Sequence, residues 1–373
     1  MKFTCTKEHL DRALRYSAKA VAKNATLPIV QNITLTVRND AILCVATNLD
    51  VGVRIVIGGK IEADGSAVIP PQLLVSFIAS LDAGAKVTLQ REVDFSVTVT
   101  SGTSRVKIKG FNPADFPPIP ERASDKHRVA VRADVFRAMV SRVSVSVAKT
   151  EARPELTGVY MTFSSEQMHI VATDGFRLGE GIVAIDDGAC HYNGDPIIVP
   201  MSAIAEVLHV LSDSNVDVIE MYIDDGQIFY NINGVAIVSR LIASTYPDYQ
   251  QIIPTQHTTV VTVDRVVFEK ILRLADVFAN ATTSDMRITV NAEENTLTVR
   301  AVSQERGENV STIDAIVDGD AQDLFLNTRY VLDGVSRCGG EKVRIAFSNP
   351  TAPVVIRSAT HEKFLYLVMP IRK

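Results

Sequence analysis

"MHIVATDGFRLGEGI" (Met168–Ile182) begins as an alternating strand, breaks at Thr-Asp-Gly, and resumes with Phe176, Arg177 and Leu178 side by side. An aromatic, a cation and an aliphatic after a tight turn need something to press against: the chain's own core, a substrate, or another protein. A similar stretch, "ILCVATNLDVGVRI" (Ile42–Ile55), lies earlier, and a looser one, "LTVRAVSQERGENVSTI" (Leu297–Ile313), lies later. Each has the same neighbours in the same order. A helix-like opening precedes it: "KEHLDRALRYSAKAVAK" (7–23), "RADVFRAMVSRVSVSVAK" (132–149) and "DRVVFEKILRLADVFAN" (264–280). A strand running into a short helix follows: "SAVIPPQLLVSFIASL" (66–81), "PIIVPMSAIAEVLHVL" (196–211) and "DLFLNTRYVLDGVSRC" (323–338). The copies close on "FNPADFPPIP" (111–120), "STYPDYQQIIP" (244–254) and "LYLVMPIRK" (365–373). A period of about 120 residues is far longer than a solenoid unit, so each copy reads as a domain. Polar, proline-marked breaks near 120–128 and 254–259 divide the chain into 1–122, 128–254 and 259–373.

Inside each copy the pattern is α+β. "FSVTVTSGTSRVKIKG" reads as a hairpin with a Ser-Gly turn and "MRITVNAEENTLTVRAV" as another. In the first helix Leu10, Leu14, Ala18 and Val21 form the apolar stripe. Two helices and roughly eight short strands per copy favour antiparallel sheets with helices on one face. At 46% hydrophobic and 22% charged, the 373 residues have the composition of a folded protein of two or three domains. No apolar run is long enough for a membrane helix, and charges interrupt the N-terminal apolar runs where a signal peptide would need them continuous. Four scattered cysteines without a CxxC pair fit a reducing, cytoplasmic setting and argue against a zinc site.

The net charge of −5 is segregated. Residues 1–126 carry 16 basic and 12 acidic side chains, residues 127–254 carry 8 and 16, and the remainder 14 and 15. Between Asp11 and Asp40 there is no acid, and Arg12, Arg15, Lys19 and Lys23, spaced 3, 4 and 4, form one stripe on a helix. The second copy has Arg137, Arg142 and Lys149; the third has Arg265, Lys270 and Arg273, diluted by Asp264, Glu269 and Asp276. Such stripes read either as solvated faces or as surfaces for phosphates without base readout. Phosphate-loop, dinucleotide, zinc-protease and nucleophile-elbow motifs are all absent, and the seven histidines are isolated. No catalytic constellation, metal site or cofactor site emerges. Thr173 and Asp174 as nucleophile and base is an alternative, against which stands a turn's ordinary need for short polar residues.

The chain resembles the bacterial DNA polymerase sliding clamp family, the beta subunit of the replicative polymerase. "ATLPIVQNI" (25–33), "VIPPQLLVSFIASL", "ADFPPIP" (114–120), "ELTGVYMTF" (155–163), "VATDGFRL" (171–178), "YPDYQQIIP" (246–254) and "LVMPIR" (367–372) carry the resemblance over essentially the whole chain. It implies three tandem clamp domains, sheets outside and two helices inside each, closing as a head-to-tail homodimeric ring around duplex DNA. The implied function is that of a non-enzymatic processivity factor. Its partners, held by linear peptides, would be the replicative polymerase, the clamp loader, repair and translesion polymerases, mismatch-repair proteins and ligase.

The resemblance also implies residue roles. The DNA-facing set is Arg12, Arg15, Lys19, Lys23, Asn24, Arg137, Arg142 and Lys149. The dimer contact is Arg105, Val106 and Ile108 against Val277 and Phe278 of a second copy. The peptide cleft between the second and third domains comprises Arg153, Leu156, Thr173, Gly175, Phe176, Arg177, Leu178, Pro247, Ile252, Leu367, Val368, Met369, Pro370, Ile371 and Arg372. Taken alone, Leu156, Leu178 and Val368 fit a plain core as well as a groove, and Val277 and Phe278 a packed helix as well as an interface. Gln250 and Gln251 stand where relatives often carry basic residues, and Lys373 adds a charge after "MPIR".

Overall fold

A computed structural model describes residues 1–22, 27–122, 124–361 and 363–372. Among them are six α-helices: α1 (Lys7–Ala20), α2 (Pro71–Ala79), α3 (Ala133–Val143), α4 (Met201–Ser212), α5 (Arg265–Phe278) and α6 (Thr328–Arg337). Each copy of the repeat supplies two. The first of each pair starts directly where a strand ends, because its start is capped by a short polar side chain where cap bonds are shown. The Thr6 hydroxyl accepts from the His9 amide before α1, and the Asp264 carboxylate accepts from the Val267 amide before α5. Leu10, Ala13, Leu14, Ser17 and Ala20 are the buried face of α1, with Tyr16. The expected stripe is thus shifted: Ala18 is only half-buried and Ser17 is inside, its hydroxyl satisfied by the Ala13 carbonyl at 2.8 Å.

The strands are antiparallel, and the chain falls into two compact units. The first comprises 1–134, 185–194 and 199–241; the second comprises 135–184, 195–198 and 242–373. In the first unit a five-stranded sheet runs, in spatial order, 59–63, 2–6, 86–91, 97–101 and 104–108. The expected hairpin is its last pair, with Ser101 opposite Ser104 and the turn on Gly102 (φ 55°) and Thr103. The second sheet of that unit runs 128–132, 218–224, 227–232, 235–240, 51–57, 41–47, 33–38 and 65–69. Strands of the central copy therefore continue into strands of the N-terminal copy, and the splice is Ile237 opposite Val53.

The second unit repeats this device. Its longer sheet runs 197–200, 158–163, 167–173, 177–184, 364–368, 354–358, 342–347, 259–264 and 316–319. Here the central copy is spliced to the C-terminal copy, with Leu178 opposite Leu367. A four-stranded sheet, 307–314, 296–303, 285–291 and 322–327, completes the unit. Buried residues under the splice include Leu156, Val171, Leu178, Tyr246, Tyr249, Val355, Leu365 and Leu367. Alternation in the sequence puts the strand members inside: Val171 of 167–173, Leu178 of 177–184, and Leu365 and Leu367 of 364–368 turn to this cluster.

α6 lies against the second strand of the splice so closely that Gly334 is required. A Cβ there would stand 2.3 Å from the ring of Tyr366, a fully buried side chain. Gly to Ala inside a helix ordinarily gains about 1 kcal/mol. Against a ring that cannot move, overpacking costs about 1–3 kcal/mol, so Gly334→Ala is expected to lower the thermal midpoint, read by scanning calorimetry.

Candidate functional site

The turn after residue 171 is built from its own side chains. The Thr173 hydroxyl donates to the Arg177 carbonyl (2.7 Å) and accepts from the Gly175 amide (3.0 Å). The Asp174 carboxylate accepts from the amides of Phe176 and Arg177, each at 3.0 Å. Gly175 has φ 89°, a region that favours glycine. With all of these groups engaged, Thr173 and Asp174 are turn-forming residues, and the nucleophile-and-base alternative has no free atom to use.

The first unit contains the same turn bond for bond. Thr47 donates to Val51 and accepts from Leu49, while the Asn48 side chain accepts from Asp50 and Val51. Four of the five residues differ, and two of the differences bear on the backbone and the charge. Leu49 occupies the positive-φ position that glycine holds at 175. Val51 stands where the second turn has Arg177.

Arg177 is only 7% exposed. Its Nε donates to Asp174 (2.9 Å), its Nη1 to Asp333 on α6 (2.5 Å), and its guanidinium lies 4.4 Å from the centre of the Tyr330 ring. The resemblance implied a place for Arg177 in the peptide cleft. The fold instead uses it as an internal strut that ties the turn to α6. A buried cation is tolerated only when paired, and two carboxylates and an aromatic face meet that condition.

With the turn fixed, Phe176 projects outward at 63% exposure. Its carbonyl accepts from the Met369 amide (2.8 Å), which holds the C-terminal segment beside it, and Ile371 donates to the Phe325 carbonyl (2.8 Å). Gly175, Phe176, Ile252, Arg153 and Arg372 are exposed, and Pro247, Met369, Pro370 and Ile371 half-buried. Leu156, Leu178, Leu367 and Val368 are at most 2% exposed and, with Thr173, belong to the interior beneath that surface. Arg153 is paired with Glu155 at 2.9 Å. Asp333 and Tyr330 had no signal in the sequence: Asp333 lies 156 positions from the arginine it holds.

The basic stripe of α1 is engaged within the first unit. Arg12 donates to the Asn233 carbonyl (2.5 Å), Arg15 pairs with both Asp11 and Asp213, and Lys19 donates to His209 Nδ1 (3.2 Å). The acid-free run in the sequence thus acquires an acid from α4's end. Lys23 and Asn24 lie outside the described residues. Arg137 and Lys149 are exposed and Arg142 half-buried, but α3 ends at Val143, so Lys149 is not on that helix. On the expected dimer surface, Ile108 is 3% exposed and packs in its own sheet. Arg105 and Val277 are exposed, and Val106 and Phe278 half-buried. Strand 104–108 and strand 307–314 are both sheet edges, and Val310 on the latter is 56% exposed.

Family models of the DNA polymerase III beta subunit match in chain order: N-terminal domain at 1–120, central domain at 130–248, C-terminal domain at 250–372. The chain belongs to the DNA polymerase III beta subunit family. The function of that family is that of a sliding clamp for the polymerase, a processivity factor and not a catalyst. Similar proteins include the beta sliding clamps of Caulobacter vibrioides (27% identical, covering 100% of both chains) and Staphylococcus aureus (23%, 100% of this chain and 99% of that one). A solved sliding clamp of Bacillus subtilis shares the fold at TM-score 0.93 and 22% identity, covering 100% of this chain and 99% of that one. A clamp of Pseudomonas aeruginosa bound to griselimycin does so at 0.91 and 22%, covering both fully.

The two equivalent turns make a paired test. Asn48→Ala removes two neutral bonds and is expected to cost about 1 kcal/mol. Asp174→Ala also strips one carboxylate from a buried guanidinium, for a loss of about 2–4 kcal/mol, read by urea denaturation. His209 gives a pH test. Its ring lies edge-on to Tyr16, its Nε2 is buried without a partner, and Lys19 faces Nδ1. Burial, then the Lys19 charge, push its pKa below the ordinary 6.5; the Arg15 backbone and then Asp213 oppose, and the Arg15 charge adds to the lowering. Below pH 6.5 the unfolded chain takes up a proton that the folded one refuses, so stability falls as pH falls through that value. His209→Gln is expected to shrink the difference in urea midpoint between about pH 7 and about pH 5.5. The nearby Glu206 carboxyl, raised by burial, acts in the opposite direction, losing stability as pH rises from 4.5.

Proposed function

We propose that two copies of this chain close head to tail into a ring around duplex DNA, and that partners dock by linear peptides on the Phe176–Met369 surface. The ring tethers the replicative polymerase and serves the loader and repair partners in turn, in the cytoplasm. The observation that carries the docking role is Phe176: a 63% exposed aromatic on a turn held by the side chains of Thr173 and Asp174. Met369 beside it is an adaptable apolar contact, and the buried leucines below give the surface a firm floor.

Edge strands 104–108 and 307–314 support the closure. Each has one neighbour, and an open edge with half-exposed valines invites pairing with another chain. A head-to-tail contact of unlike edges makes a ring when the rotation closes. Val106, Val277 and Phe278 carry the apolar part of the contact; Ile108 supports it from inside. The exposed cations Arg15, Lys19, Arg137 and Lys149 supply backbone contacts of the weak, mobile kind that sliding needs.

A second reading has an observation in its favour. Because Arg12, Arg15 and Lys19 are already partnered, a peptide-binding ring with little affinity for DNA fits the same fold. Retention of the loaded ring on circular DNA, lost as salt rises, supports the first reading; salt-independent retention supports the second.

Light scattering is expected to give twice 40.6 kDa, and Val106→Asp to give the monomer mass. Met369→Ala is expected to weaken binding of partner peptides by about tenfold while leaving the mass unchanged, measured by calorimetric titration.

A further inference from the structure

A cavity of about 360 Å³ adjoins Pro247 in the second unit. Tyr160 and Tyr246 line it as a stacked pair, ring centres 4.6 Å apart and 16° from parallel, and Tyr249 stands edge-on to Tyr160 at 6.2 Å. Asp248 is an exposed carboxylate on the same lining, hydrogen-bonded only to amides, those of the Gln251 side chain (2.7 Å) and the Gln250 backbone (3.3 Å). A second carboxylate, Glu180, lies behind it and accepts from the Tyr249 hydroxyl (3.0 Å). His169, also on the lining, approaches Glu180 at 3.3 Å. The lining includes no lysine or arginine.

The half-buried Tyr160, backed by the buried Tyr246 and Tyr249, a carboxylate with no cationic partner among the described residues and an opening of about 360 Å³ suit one kind of guest. The π-faces of tyrosine attract a cation within about 6 Å, and Asp248 adds the charge that aromatic rings lack. Gln250 and Gln251, which donate to that carboxylate, are neutral and leave its charge uncancelled. We infer that this cavity receives an arginine or lysine side chain of the partner peptide, flanking the apolar residues that meet Phe176 and Met369. The inference rests on the peptide-docking reading for the identity of the guest, while the cation preference of the cavity stands on its own geometry.

The test has two arms. In the first, fluorescently labelled ten-residue peptides sharing a two-leucine anchor are scanned with arginine, lysine, glutamine or glutamate on either side of it. At one position arginine and lysine are expected to bind about tenfold tighter than glutamine, with the advantage shrinking at about 0.5 M salt. Asp248→Asn and Tyr160→Leu are expected to abolish the advantage, Tyr160→Phe to keep it, and all three to leave the glutamine peptide unchanged. Asp248 is exposed, so its variant carries the arm if the Tyr160 variants fold poorly. In the second arm, N-acetyl-arginine methylamide is titrated into protein with carbon-13 tyrosine rings. Shifts of ring resonances in the wild type that are lost in Asp248→Asn support the cavity even if no peptide binds, an outcome that would sink the docking reading alone. Equal affinity for arginine and glutamine peptides at every position, or tyrosine resonances indifferent to the small cation, overturns the inference.

Discussion

Antiparallel pairing between 177–184 and 364–368 is the interaction on which the candidate site depends. Leu178 opposite Leu367 sets the register, and register decides every side chain that follows. A slip of one residue would turn Leu365 and Leu367 away from the cluster that holds Leu156 and Val171, and Tyr366 away from α6. With the register held, Met369 arrives beside Phe176 and bonds to its carbonyl. Residues nearly two hundred positions apart thus meet at a place set by a ladder of backbone bonds.

The same construction occurs twice, and the comparison separates scaffold from function. Both splices join a strand following a Thr-Asx turn to a strand of another copy, and both turns use the same four hydrogen bonds. What differs is the cargo. The first turn carries Leu49, Asp50 and Val51; the second carries Gly175, Phe176 and Arg177. Only the second needs carboxylates from two elements to keep its arginine buried, and only the second lifts an aromatic ring into solvent. Repetition supplies the frame, and substitutions within it make one junction a candidate docking surface.

Charge behaves differently from shape in this protein. The α1 cations were legible as a stripe because helical spacing is a property of the chain itself. Their partners were not, because Asp213 and His209 reach them only through the packing of α1 on α4, and Asn233 through the turn between strands 227–232 and 235–240. A run free of acids in sequence became a surface where Arg15 touches two carboxylates. Arg177 makes the same point from the buried side: its motif was plain, and its role as a strut was not.

The sequence by itself determined the threefold repeat, the α+β layering, the helix starts, the turn at 173–177 and the family. Those follow from local rules: periodicity, capping, short polar residues at turns. The tertiary structure alone decided which strands of the central copy join which neighbour, which candidate site residues are interior and which are surface, that Ile108 is core, and that Asp333 holds Arg177. It also gathered Tyr160, Tyr246, Tyr249 and Asp248 around one cavity. Those outcomes depend on long-range register and on burial, and neither is encoded in the spacing of residues along a single element.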